Sequence, residues 1–297
     1  MHTIPRSYLA AFADLSAPRE KPHVWRFERQ SNVPKLISLR DISVKRDIYT
    51  LWTEDGQPDL SIEMRVLAEG VEDGFSNLIA SLEAGKQPPY WRCRQLSRFM
   101  AFQLLRTPRS FQIFRDACAL NDVNVGPNDP QRLTVYMAPQ IENWICQMSW
   151  YVSSNVTSLP FLTSDNPVTA YAETGLIAEV GVGFSNPALR VIFPLSPRIC
   201  LVMEHTPASL FCVTSDSSER EPSFMHEFEL LIHSAELTLL DVIRLNQVTN
   251  AEKYAYTNGE NERIRLFMKE QFTDRSAPVR RDDGQPVGSA RKPSERS

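Results

Sequence analysis

The stretch Ser149–Val156, SWYVSSNV, marks where the chain changes character. On its amino-terminal side, apolar residues recur at three- and four-residue steps over long runs, the period of one helical face. From here on, short runs rich in aromatic and β-branched residues are separated by Gly, Pro, Asn and Ser. They are FLTS (161–164), VTAY (168–171), LRVIFPL (189–195) and ICLVME (199–204), with SLFCVT (209–214) as a further candidate. Runs of this kind predict an antiparallel sheet of four to six strands.

Working backward, helices are expected over about Pro130–Cys146, Arg109–Leu120 and Tyr90–Leu105, the last halted by Thr107-Pro108, with NDVNVGPNDP (121–130) as turn chemistry. A further helix, from Leu60 to about Glu83, carries Ile62, Val66, Val71, Phe75, Leu78, Ile79 and Leu82 on its apolar face. Ser61 is placed to cap it, and Gly70 and Gly74 suggest a bend or a close backbone contact. Before it, a short helical start holds Tyr8, Leu9 and Phe12, and two or three antiparallel strands follow, at His23–Phe27, Lys35–Leu39 and Ile48–Thr53. The TEDGQPD segment breaks that pattern.

After the sheet, helix is expected from about Ser223 through EFELLIHSAELTLLDVIRLNQ, and on through AEKYAYT and NERIRLFMKEQF. The whole reads as one α+β domain over residues 1–273: a central helical bundle packed on an antiparallel sheet, with an N-terminal β-ribbon and C-terminal helices. Residues 274–297 have almost no apolar content and are expected to form a disordered, solvated tail.

Composition narrows the function classes. With 297 residues, 42% of them hydrophobic, the chain can build a sizeable core. The formal charge of −4, from 36 acidic against 32 basic residues, does not indicate a nucleic-acid partner or an anionic membrane surface. No segment approaches the roughly 18 consecutive apolar residues of a membrane span, and the amino terminus lacks the apolar core of a signal peptide. A soluble cytoplasmic protein is therefore expected. Five cysteines without a CxxC pair argue against a disulfide framework and a zinc ribbon. No Gly-rich phosphate loop, dinucleotide fingerprint or Gly-x-Ser-x-Gly elbow is present.

Several short motifs fall in an order that resembles a known family: HTIPRSYLAAF near the start, spaced glutamates on the first long helix, then FMAFQLLRTP, FLTSDNPV, FPLSP and LNQVTNAEKYAY. Together they resemble the bacterial domain-of-unknown-function family 4238, from about Met1 to Phe272. Thr3 stands where that pattern usually has tyrosine. The resemblance implies no established activity.

The candidate chemistry centres on FLTSDNPV and on the second long helix, Tyr90–Leu105. Phe99, Gln103 and Arg106 share a face that is otherwise apolar, and a buried amide or guanidinium needs partners. Acidic candidates are Glu63, Glu69 and Glu72 on the first long helix, and Asp165. A polar cluster of Glu72, Gln103, Arg106, Asp165 and Asn166 beneath the sheet is the expected arrangement, with Asn246 and Tyr254 as additions from the late motif.

Two functions of different class follow from these residues. In a metal-assisted hydrolase, of which a phosphodiesterase or nuclease is the type that suits these residues, Glu72 and Asp165 would hold magnesium or manganese, and Asn166 would join them in catalysis. Gln103, Arg106 and Ser164 would then bind substrate. In a non-catalytic binding or regulatory protein, the same cluster would pin helix to sheet. Asp-Asn before proline is ordinary turn chemistry. Thr163 and Ser164 are polar groups in excess of what a turn needs.

Overall fold

The computed structural model describes residues 4–14, 16, 18, 21–29, 31–42, 50–53, 55–59, 61–62, 75–86, 88–172, 186–205, 224–225, 240, 243–244, 247, 251 and 253–272. Glu63, Glu69, Glu72, Asn246, the SLFCVT segment and the tail lie outside them.

A short helix α1 (Arg6–Leu9) continues as one 3-10 turn, Ala10–Phe12, and buries Tyr8, Leu9 and Phe12. Strands β1 (His23–Glu28) and β2 (Ser31–Ser38) pair antiparallel. The next two, β3 (Leu51–Trp52) and β4 (Pro58–Asp59), form a hairpin of their own. TEDGQPD is therefore its turn, with Gly56 at φ 71°, in the left-handed region where glycine is least strained.

Four helices follow: α2 (Phe75–Glu83), α3 (Tyr90–Leu105), α4 (Pro108–Leu120) and α5 (Asp129–Gln147). Helix α4 starts where the sequence says it should. Thr107 caps it by accepting the Ser110 N–H, and Pro108 occupies the first turn, where its missing N–H costs nothing. The side-chain amide of Asn128 exchanges two hydrogen bonds with the Trp52 backbone, at 2.9 and 2.7 Å, fastening the small hairpin to the start of α5. Helix α3 packs on α5.

The remaining strands are β5 (Ser149–Ser154), β6 (Thr163–Ser164), β7 (Thr169–Ala172), β8 (Leu189–Pro194), β9 (Ile199–Glu204), β10 (Phe224–Met225) and β11 (Tyr254–Thr257), and α6 (Glu262–Phe272) ends the described chain. Five of them make one sheet in the order β10-β5-β9-β8-β7, antiparallel except for the β10–β5 pair. The other large sheet has the order β2-β1-β11-β6.

The class is α+β, as the sequence implies, with two differences of connection. AEKYAYT, read as helix, supplies strand β11, and this strand joins the N-terminal ribbon to β6. FLTS lies not in the five-stranded sheet but at the edge of the other one. The main core runs between the helices and the five-stranded sheet, and a smaller apolar cluster, including Phe27, Leu162, Ile264 and Phe272, lies between the second sheet and α6.

Candidate functional site

FLTSDNPV is the crossover between the two sheets. Thr163 and Ser164 pair with β11 in the four-stranded sheet, and five residues after Ser164 the chain is already β7 of the five-stranded one. Leaving one sheet strands the backbone groups of the neighbour left behind, and buried backbone groups need partners. The polar side chains of this segment supply them.

Asp165 does so most directly. Its N–H donates to Tyr254 O at 3.0 Å, continuing the β6–β11 ladder by one residue. In place of its own carbonyl, its carboxylate accepts the return bond: Oδ2 takes Tyr254 N–H at 3.0 Å and Lys253 N–H at 2.7 Å. The side chain thus mimics a strand while the main chain turns away toward Pro167. Arg29 lies close enough for its charge to couple to Asp165. Burial pulls the Arg29 guanidinium below its ordinary value, and Asp165 acts in the opposite sense. Arg29 also donates to Ala251 O at 2.7 Å and sits over the Phe272 ring. Sequence reading did not single it out.

Ser164 is fully buried. Its Oγ donates to Asn166 O at 2.9 Å and accepts Asn166 N–H at 3.2 Å, closing a tight hydroxyl turn. Gln247, also fully buried, spans the crossover from the other side. Its Oε1 lies 3.3 Å from Ser164 Oγ, and its Nε2 donates to Pro167 O at 3.0 Å.

Tyr8 makes the second bridge between sheets. Its hydroxyl donates to Pro194 O on β8 at 2.7 Å, which leaves it to accept from Thr163 Oγ1 on β6, also at 2.7 Å. The ring stacks on Phe193 at 5.2 Å and touches Phe12 and Phe99. Burial pushes the Tyr8 phenol well above its ordinary value, with the Thr163 bond opposing the shift. Tyr8 stays protonated.

Gln103 and Arg106 are both buried near the end of α3. Gln103 Nε2 has no hydrogen-bond partner, so no bond of that group ties it to the crossover. Asn166 Oδ1 is likewise buried without a partner. Ser164, Asp165, Asn166 and Tyr254 are brought together, whereas Glu72 lies outside the described residues. Among the described residues, no group of three or more His, Cys, Asp and Glu is placed to hold a metal ion.

The family description "Protein of unknown function (DUF4238)" matches residues 1–261. The chain belongs to the DUF4238 family. No curated protein and no solved structure matches it. Four of the motifs that carried the resemblance meet here: Tyr8 from the opening motif, Thr163 to Asn166 from FLTSDNPV, Pro194 from FPLSP, and Gln247 and Tyr254 from the late motif.

Sequence reasoning missed Tyr8 and Gln247 as members of this DUF4238 cluster, and Ser196 at the β8–β9 turn, although each lies inside a quoted motif. Ser196 Oγ donates to Glu83 Oε1 at 2.5 Å and accepts the N–H groups of Arg198 and Ile199, holding the β8–β9 turn against the end of α2. Asking which motif residues have both a polar tip and an apolar environment would have found them.

Proposed function

We propose that this DUF4238 protein works by binding, not by catalysis, and that the polar residues of its FLTSDNPV segment form the clasp that holds its two sheets together. One observation carries the reading: Asp165 Oδ2 accepts two backbone N–H groups, Lys253 at 2.7 Å and Tyr254 at 3.0 Å. Oδ2, committed to two amides, is a poor candidate for ligating a cation, because ligation through it would leave both amides without a partner. Ser164, turned onto Asn166 and Gln247, is similarly occupied.

The second reading is the metal-assisted hydrolase, with Glu72 and Asp165 holding magnesium or manganese, Asn166 joining them in catalysis, and Gln103, Arg106 and Ser164 binding the substrate. Two observations favour it. Gln103 Nε2 and Asn166 Oδ1 are buried donor and acceptor groups without partners, and such groups are costly unless something engages them. Hydrolysis of bis(p-nitrophenyl) phosphate with manganese separates the readings. The binding proposal expects the same background rate from the parent and from Asp165→Ala. A manganese-dependent rate that Asp165→Ala abolishes would establish the hydrolase.

A further inference from the structure

We infer that the pocket between the end of α4 and the start of α5 is a binding site for a small molecule with an apolar body and one carboxylate group. This inference is independent of the clasp and stands under either reading of it. The pocket has a volume of about 310 Å³, near the lower end of the roughly 300–1,000 Å³ that ligand pockets occupy. Its walls are Phe114 and Cys118 from α4, Val123 and Val125 from the connector, and Leu133 and Tyr136 from α5. These surfaces suit a ring or short chain.

The polar groups decide the rest of the ligand. Asp129 lines the pocket, but its Oδ2 accepts the Gly126 N–H at 2.7 Å and is thereby held to the connector. Arg132, one helical turn further along, also lines the pocket, and among the described residues its guanidinium has no hydrogen bond or ion pair. A planar guanidinium offers two parallel donors, which a carboxylate matches with two acceptors. At the rim, Tyr136 is 79% exposed and Val123 55%, so apolar surface beside that cation is left for a ligand to cover.

The connector is fixed in shape, which makes the site preformed. Helix α4 ends in a double-bonded cap: Val123 N–H donates to Cys118 O at 2.9 Å and Asp122 N–H to Ala119 O at 3.3 Å. Asp122 takes φ 55° to allow it. The two pocket residues Cys118 and Val123 are therefore locked to each other through backbone.

Cys118 gives the test a reporter. It is half-buried, whereas Cys93, Cys146 and Cys200 are buried. Its alkylation by iodoacetamide, followed residue by residue by peptide mass spectrometry, reads access to the pocket in the intact protein. The probe is 3-phenylpropionate, with 3-phenylpropanol as the same body without charge and acetate as the charge without the body. For a dissociation constant on the order of 1 mM, ~10 mM probe is expected to slow Cys118 alkylation about tenfold. Neither control should do so, and Arg132→Gln, at an exposed position, should abolish the protection without moving the thermal midpoint. Equal protection by the alcohol, protection that survives Arg132→Gln, no protection at all, or a Cys118 that is unreactive in the free protein would each overturn the proposal.

Discussion

Tyr8 shows how much one side chain can hold. Its hydroxyl joins Thr163 in one sheet to Pro194 in the other, and its ring lies among Phe12, Phe99 and Phe193. Tyr8→Phe keeps the ring and removes the bridge, leaving a buried hydroxyl and a buried carbonyl without it. The expected loss is about 1–3 kcal/mol, measured by urea unfolding. Asp122 is the opposite case. It occupies a left-handed position, φ 55°, that usually belongs to glycine at a helix end. Asp122→Gly is expected to raise stability by roughly 0.5–1 kcal/mol by the same measurement, since the strain goes and the capping bonds are made by backbone alone.

Between elements, one buried carboxylate adds an ionic link to the apolar packing of α3 on α5. Glu142 Oε2 accepts Arg98 Nε at 2.9 Å, and Oε1 accepts Arg94 Nη2 at 3.1 Å, while the two arginines keep 48% and 32% of their side chains exposed. Burial pulls the Arg94 guanidinium down, but the bond and charge of Glu142 outweigh it and leave it raised. Glu142→Gln removes the charge and keeps the shape. Solvent screening of the exposed arginines limits the expected cost to roughly 1–2 kcal/mol, seen as a lower thermal midpoint that added salt partly equalises. Elements of this kind were legible in the sequence: α3, α4 and α5 follow a long apolar period with Pro and Thr stops, which are local signals. Strand β11 was not. Four residues, Tyr254–Thr257, carry too short an alternation to outweigh the helical reading of the motif around them, and their strand state comes from pairing with β1 and β6 far away in sequence. The same nonlocality hid the sheet to which FLTS belongs. Of the candidate site, Thr163 and Ser164 were legible as polar groups in excess of a turn, and Asp165 and Asn166 as turn residues before Pro167, whereas Gln247 and Tyr8 became visible only once the crossover they bridge was in place.

At the scale of the whole molecule, several weak acids are buried as neutral groups. Burial pushes the Cys93 thiol up to about 12 and raises Cys146, Cys200 and Tyr8 as well. In each case the folded state holds its proton more tightly than the unfolded chain, where thiols ionise near pH ~8.5. Their contribution is fully present below that value and is lost as the pH rises toward the folded values. The thermal midpoint in reductant should therefore be flat from about pH 6 to 8 and fall between roughly pH 9 and 12, with Cys93→Ala falling less steeply over that window. On the proposed function, Asp165 clasps the two sheets at the point where the chain passes from one to the other. The most direct test of that role is the thermal midpoint of Asp165→Ala against the parent, each with and without manganese. Loss of two charge-assisted bonds, about 2–3 kcal/mol, should lower the midpoint by roughly 3–6 °C, equally in both conditions. An unchanged or raised midpoint, with manganese stabilising only the parent, would contradict the account and make Asp165 a metal ligand.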